Sequence, residues 1–245
     1  MSRFFLSKEH IRDGQITITG DDAHHICYSL RMAVGDEIIV CDMQKNEYRA
    51  VLQTLTGECV VARVLSTYPN DTELSVNVHL YQALPKGEKM ELVVQKCTEL
   101  GVSRIVPVQS SRCIVKLDDK NREKKRLRWE RIAHEAAKQC GRGALPTVEQ
   151  PVTLACALQQ APGWKLFCYE GDGTEGLRHV LAPQIQTDMP RDISVFIGPE
   201  GGFSPAEVDA AREQGAVLCG LGKRILRTES AALVVLSAIA YETEM

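Results

Sequence analysis

Through the first 73 residues, apolar positions fall in short runs at 15–19, 37–41, 48–52 and 59–64. Each run has the length and composition of a strand, and Gly14, Gly20, Gly35-Asp36 and Gly57 punctuate them. That spacing predicts a small barrel or sandwich. One stretch breaks the pattern: Asp21-Asp22 followed by residues 23–32 reads as one short helix inserted between strands. The cluster Tyr68-Pro69-Asn70-Asp71-Thr72 has the composition of a linker.

Beyond residue 73 strands and helices alternate. Residues 76–84 read as a strand and 86–100 as a helix, with Met90, Val93, Val94, Cys97 and Leu100 on one face and Gly101 as its stop. A strand at 104–108, a long basic helix at 122–140, and strands at 165–169 and 193–197 follow. Ser204-Pro205-Ala206-Glu207 is a capping box with proline at the first helical position, and Gly215 ends that helix. Such alternation implies a mainly parallel sheet covered on both faces. The expectation is an α/β protein of two domains, 1–73 and 74–245. The last helix, 228–241, is apolar nearly all the way round, which requires burial on all sides, either within one subunit or between two.

Composition narrows the chemistry. The nine cysteines are odd in number and form no CxxC pair, which argues against a zinc ribbon or a disulfide framework. His134-Glu135-Ala136-Ala137-Lys138 starts like HExxH, but a lysine stands where the second ligand would be; no metal is expected. The charged start and the short apolar run at 231–240 fit neither a signal peptide nor a membrane span, so a cytoplasmic protein is expected. Net charge is only −3, yet residues 116–142 hold ten Lys/Arg against five Asp/Glu. This is either a solvated helix face or a phosphate-binding surface; Trp129 and the Gly141-Arg142-Gly143 turn tilt it toward RNA.

Three glycine-rich segments could hold a ligand. Gly171-Asp172-Gly173-Thr174-Glu175-Gly176 matches the dinucleotide pattern, but Glu170, Asp172 and Glu175 would repel a pyrophosphate. The other two are Ile197-Gly198-Pro199-Glu200-Gly201-Gly202 and 221–229, each after a strand-like run and before a helix. Together they suggest a ligand gripped by backbone from two sides. Glu200 in the first suits a cationic ligand such as an amine or sulfonium, and Arg227-Thr228-Glu229 equips the second for chemistry.

Ile197 through Ser204 (IGPEGGFS), Leu221-Gly222 with Ile225-Leu226-Arg227-Thr228-Glu229, residues 86–100 (KGEKMELVVQKCTEL), Arg3-Phe4-Phe5, and His24-His25 to Leu30-Arg31 together resemble the RsmE family. Those are SPOUT-class methyltransferases acting on N3 of a uridine in 16S ribosomal RNA. Lys138 departs from the family's glutamate and Ser230 from its threonine. The resemblance implies a PUA-like β-barrel, then an α/β domain with a trefoil knot, S-adenosylmethionine as cofactor, a homodimer, and 16S RNA or the small ribosomal subunit as partner. It places Tyr169, Glu170, Gly198, Pro199, Glu200, Gly201, Leu221, Gly222, Ile225 and Leu226 around the cofactor. Arg227, Arg142 (contributed by either subunit) and Glu229 are the catalytic candidates. Arg3, His25, Arg31, Lys86, Lys116 and Arg142 are the RNA-contact candidates. Two other classes stay open: a non-catalytic RNA-binding module built on the barrel and basic helix, and a nucleotide-dependent oxidoreductase using Gly171 to Gly176.

Overall fold

The computed structural model describes residues 1–44 and 46–244. They divide into two compact units, 1–73 with 137–145, and 74–136 with the rest from 146 onward.

In the first unit, strands β1 (Ser2–Phe5), β2 (Ile11–Arg12), β3 (Gln15–Thr19), β4 (Glu37–Cys41), β5 (Asn46–Leu55) and β6 (Cys59–Pro69) form one sheet in the order β1-β4-β5-β6-β3-β2. Only the β1–β4 pair is parallel. Alternation drives it: Ile16 and Ile18 are buried between exposed Gln15, Thr17 and Thr19. Phe4, Ile38, Val40, Leu52 and Val60 from other strands meet them in a single core, so the sheet curls around its own inner face. The inserted segment is not one helix over 21–32. Helix α1 (Gly20–His24) runs into a wider π-type turn at 25–29, with Leu30 N–H donating to the His25 carbonyl at 2.9 Å. Arg31, at φ 52°, then ends it.

Residues 137–145 were expected in the second domain but group with the first. Ala137 joins Phe5 and Cys41 in a small apolar cluster. The Arg142 guanidinium donates to the Glu73 carboxylate at 3.2 and 2.6 Å, and the Gly143 and Ala144 N–H groups donate to it at 3.1 Å each.

The second unit alternates as the sequence predicts: β7 (Asn77–Ala83), α2 (Lys89–Glu99), β8 (Arg104–Gln109), α3 (Asp119–Cys140), β9 (Thr147–Val148), β10 (Val152–Thr153), α4 (Leu154–Gln160), β11 (Trp164–Cys168), β12 (Glu175–Gly176), α5 (Leu177–Thr187), β13 (Asp192–Ile197), α6 (Pro205–Glu213), β14 (Val217–Gly220) and α7 (Thr228–Glu244). All strand pairs are parallel, in the order β10-β8-β7-β13-β11-β14-β12 with β9 also on β8. Two cores lie on opposite faces. Along β13, Val195 and Ile197 enter the one containing α2 and α7 residues, while Phe196 enters the other, stacked on Tyr81 at 4.5 Å. The capping box of α6 is formed as read, and Gly101, at φ 87°, lies just past the end of α2.

Helix α7 carries both buried and exposed apolar positions. Ala231, Ala232, Val235, Leu236 and Ile239 are buried, but Val234 and Tyr241 are exposed. Its own chain covers one face only. Trp129, read as part of an RNA surface, is a core residue instead. Among the described residues no helix is long and apolar enough to cross a membrane.

Candidate active site

In the strand order, β11 lies between β13 and β14, and all three are parallel. Their carboxyl ends therefore share one edge of the sheet, where ligands of such sheets bind. The turn at 198–202 leaves β13, the turn at 221–227 leaves β14, and Tyr169-Glu170 leave β11. A cavity of about 600 Å³ opens among them. Tyr169, Glu170, Gly198, Pro199, Glu200, Gly201, Leu221, Ile225, Leu226 and Arg227 all line it. Gly222 does not; its φ of 105° instead lets the second turn reverse. Gly198 is needed for packing: a Cβ there would sit 3.3 Å from both the Gly202 Cα and the Phe203 ring.

Arg112 and Gln82, which no sequence pattern marks, hold the turns in place together with Thr228 of the second turn. Arg112 Nη1 donates to the Gly201 and Phe203 carbonyls at 2.9 and 3.1 Å. The Thr228 hydroxyl donates to the Gly198 carbonyl at 2.6 Å and accepts from buried Gln82 at 2.8 Å. Arg112 and Gln82 are remote in sequence from the loops they serve.

Glu200 was expected to face a cationic ligand. It lines the cavity, and its Oε1 accepts from Lys89 Nζ at 2.7 Å and from the Lys86 N–H at 3.1 Å. Burial pushes this carboxyl up, but Lys89 and the backbone N–H groups outweigh it and hold it below the usual range.

The catalytic candidates separate. Arg227 is exposed on the cavity wall, with no side-chain hydrogen bond or ion pair among the described residues. Glu229 is 15% exposed, does not line the cavity, and its Oε2 has no hydrogen-bond partner among the described residues. Arg142 has a side chain 4% exposed, engaged by Glu73 in the first unit. That burial rules it out as a freely presented RNA or substrate contact. Arg3 is likewise committed, donating to Glu47 and to the Arg142 carbonyl. His25 and Arg31 in the first unit, and Lys86 and Lys116 in the second, are exposed. The segment Gly171 to Gly176 does precede a helix, but lies outside the cavity.

Residues 72–240 match a model of the RNA methyltransferase domain, and residues 18–65 match one of the RNA methyltransferase PUA domain. The ribosomal RNA small subunit methyltransferase E of Bacillus subtilis is 40% identical over 252 residues, covering 100% of this chain and 98% of the relative. The chain belongs to the RsmE family. The RsmE protein of Synechocystis is 33% identical, covering 97% and 76%. Among solved structures, the RsmE of Neisseria gonorrhoeae bound to S-adenosylmethionine superposes with a TM-score of 0.85 at 30% identity, covering 98% of this chain and 97% of that one. A putative methyltransferase of Legionella pneumophila in complex with the same cofactor gives 0.85 at 32%, covering 98% and 96%. The chain is thus an RNA methyltransferase, with a PUA-like first unit and a parallel α/β second unit.

Proposed function

We propose that this protein uses S-adenosylmethionine to methylate N3 of a uridine in 16S ribosomal RNA of the small subunit. The cavity of about 600 Å³ between the two glycine turns carries the reading. Its wall combines backbone of the first turn, apolar Leu221, Ile225 and Leu226, the carboxylates of Glu170 and Glu200, and the guanidinium groups of Arg112 and Arg227. The backbone and apolar part suits a nucleoside. The dinucleotide-like segment Gly171 to Gly176 lies outside this cavity, which favours this cofactor over the dinucleotide of an oxidoreductase.

The cofactor supplies an activated methyl group. Uridine N3 carries an imide proton and is a weak nucleophile until that proton leaves. Arg227, with its guanidinium unpartnered at the wall, stabilises the imide anion spread over O2 and O4. Glu229 does not line the cavity, so it acts on Arg227 through charge, and the imide proton passes to solvent water. The turns hold the base and the methyl donor in line. Exposed His25 and Arg31 in the PUA-like unit, with Lys86 and Lys116, make phosphate contacts. The trefoil knot is part of the same reading and rests on membership of the RsmE family. So is a homodimer in the cytoplasm that covers Val234 and Tyr241 of α7.

The test is transfer of a tritiated methyl group to small ribosomal subunits lacking the modification, followed by nucleoside analysis. Label recovered as 3-methyluridine is the expected result. Label in another nucleoside, or none from protein that binds the cofactor, overturns the assignment; RNA affinity without incorporation would point to a binding module.

A further inference from the structure

Lys89 is the first residue of α2. A cation there faces the positive end of the helix dipole and gains nothing from its own helix. Its neighbours account for the position. Nζ lies 2.7 Å from Glu200 Oε1 in the first glycine turn and 3.8 Å from Glu229 Oε2 in the first turn of α7. Among the described residues no other cation pairs with either carboxylate. Glu229 Oε2 is buried and lacks a hydrogen-bond donor, so this charge contact adds to the favourable field of the α7 N-terminus in compensating it.

Two struts therefore join the turns. The uncharged one runs from Gln82 through Thr228 to Gly198. The charged one runs from Glu200 through Lys89 to Glu229. We propose that Lys89 is a positioning residue that latches the two glycine turns across the cofactor cavity. The inference rests on the cofactor reading above. Without Lys89, Glu229 loses its cation and Glu200 Oε1 keeps only the Lys86 N–H, so the charged tie between the turns is gone.

Calorimetric titration with S-adenosylmethionine, together with amide hydrogen exchange, tests the latch in Lys89→Met. The expected result is a Kd weaker by about tenfold and faster exchange in both turns. Lys89→Arg should restore binding. Lys96→Met, which removes a pair with Glu99 within the same helix, should leave Kd and exchange as they are. Should Lys89→Met fail to fold, Lys89→Gln carries the same readouts. An unchanged Kd, or a loss of thermal stability alone, overturns the latch. Failure of the unaltered protein to bind the cofactor overturns the functional reading instead.

Discussion

Thr228→Val exchanges a hydroxyl for a methyl group at nearly constant shape. The hydroxyl donates to the Gly198 carbonyl at 2.6 Å and accepts from Gln82 Nε2 at 2.8 Å. Both side chains are buried, and the Gln82 amide keeps its second bond, to the Ala83 carbonyl at 3.0 Å. Valine therefore removes two hydrogen bonds and leaves one carbonyl without its donor. Gly198 is only half-buried, so water answers part of that loss. At about 0.5–1.5 kcal/mol per net bond, the expected cost of two is about 1–3 kcal/mol. Thr228→Ser keeps both bonds and loses one methyl group, worth about 0.8 kcal/mol. Both tryptophans, Trp129 and Trp164, pack on the core beneath the site, so tryptophan fluorescence in urea reports that unit's unfolding. If serine costs as much as valine, packing and not hydrogen bonding holds Thr228, and the reasoning fails.

Arg142→Ala should destabilise the first unit by about 1–3 kcal/mol, because it removes the charged donor and leaves Glu73 with the Gly143 and Ala144 N–H groups alone; hydrogen exchange at 46–73 measures this, and unaltered protection would return Arg142 to the functional candidates. Glu207 accepts N–H groups from Ser111 at 2.7 Å and Ser204 at 2.8 Å, and although burial pushes the carboxyl up, these bonds outweigh it and hold it below the usual range. A depressed folded value means the stabilisation is complete above about pH 4.3 and is lost as pH falls through that lower value. Glu207→Gln should flatten this acid limb in a fluorescence titration; an identical limb would sink the assignment. Arg227→Ala should lower turnover about a hundred- to a thousandfold at an unchanged urea midpoint, since the side chain is exposed and unpartnered; activity within about threefold of the parent would remove Arg227 from the mechanism.

The alternation of strands and helices was legible because each element carries its own period: residues 90, 93, 94 and 97 along α2, or 16 and 18 along β3. The glycine turns were legible because their chemistry is local. What the pattern missed is long-range. Arg112, Gln82 and Lys89 reach the turns only because strand order folds them there, and no spacing rule spans 89 residues between Arg112 and Gly201. The same blindness cut the other way for Arg3, Arg142 and Trp129. Charge and aromaticity suggested surface contacts, whereas Glu47, Glu73 and an apolar core absorb them. The apolar circumference of α7 was real, but its own chain covers only one side of it.

The cavity wall draws on residues 112, 168–170, 197–203 and 221–231, so no contiguous fragment of the chain contains it. A ligand of this cavity binds the finished fold and has nothing to grip in a partly folded one. Its free concentration then acts on folding by mass action: at a hundredfold excess over Kd it adds about 2.7 kcal/mol to the stability of the second unit. Supply of methyl donor would thus set how long the enzyme persists folded as well as how fast it works.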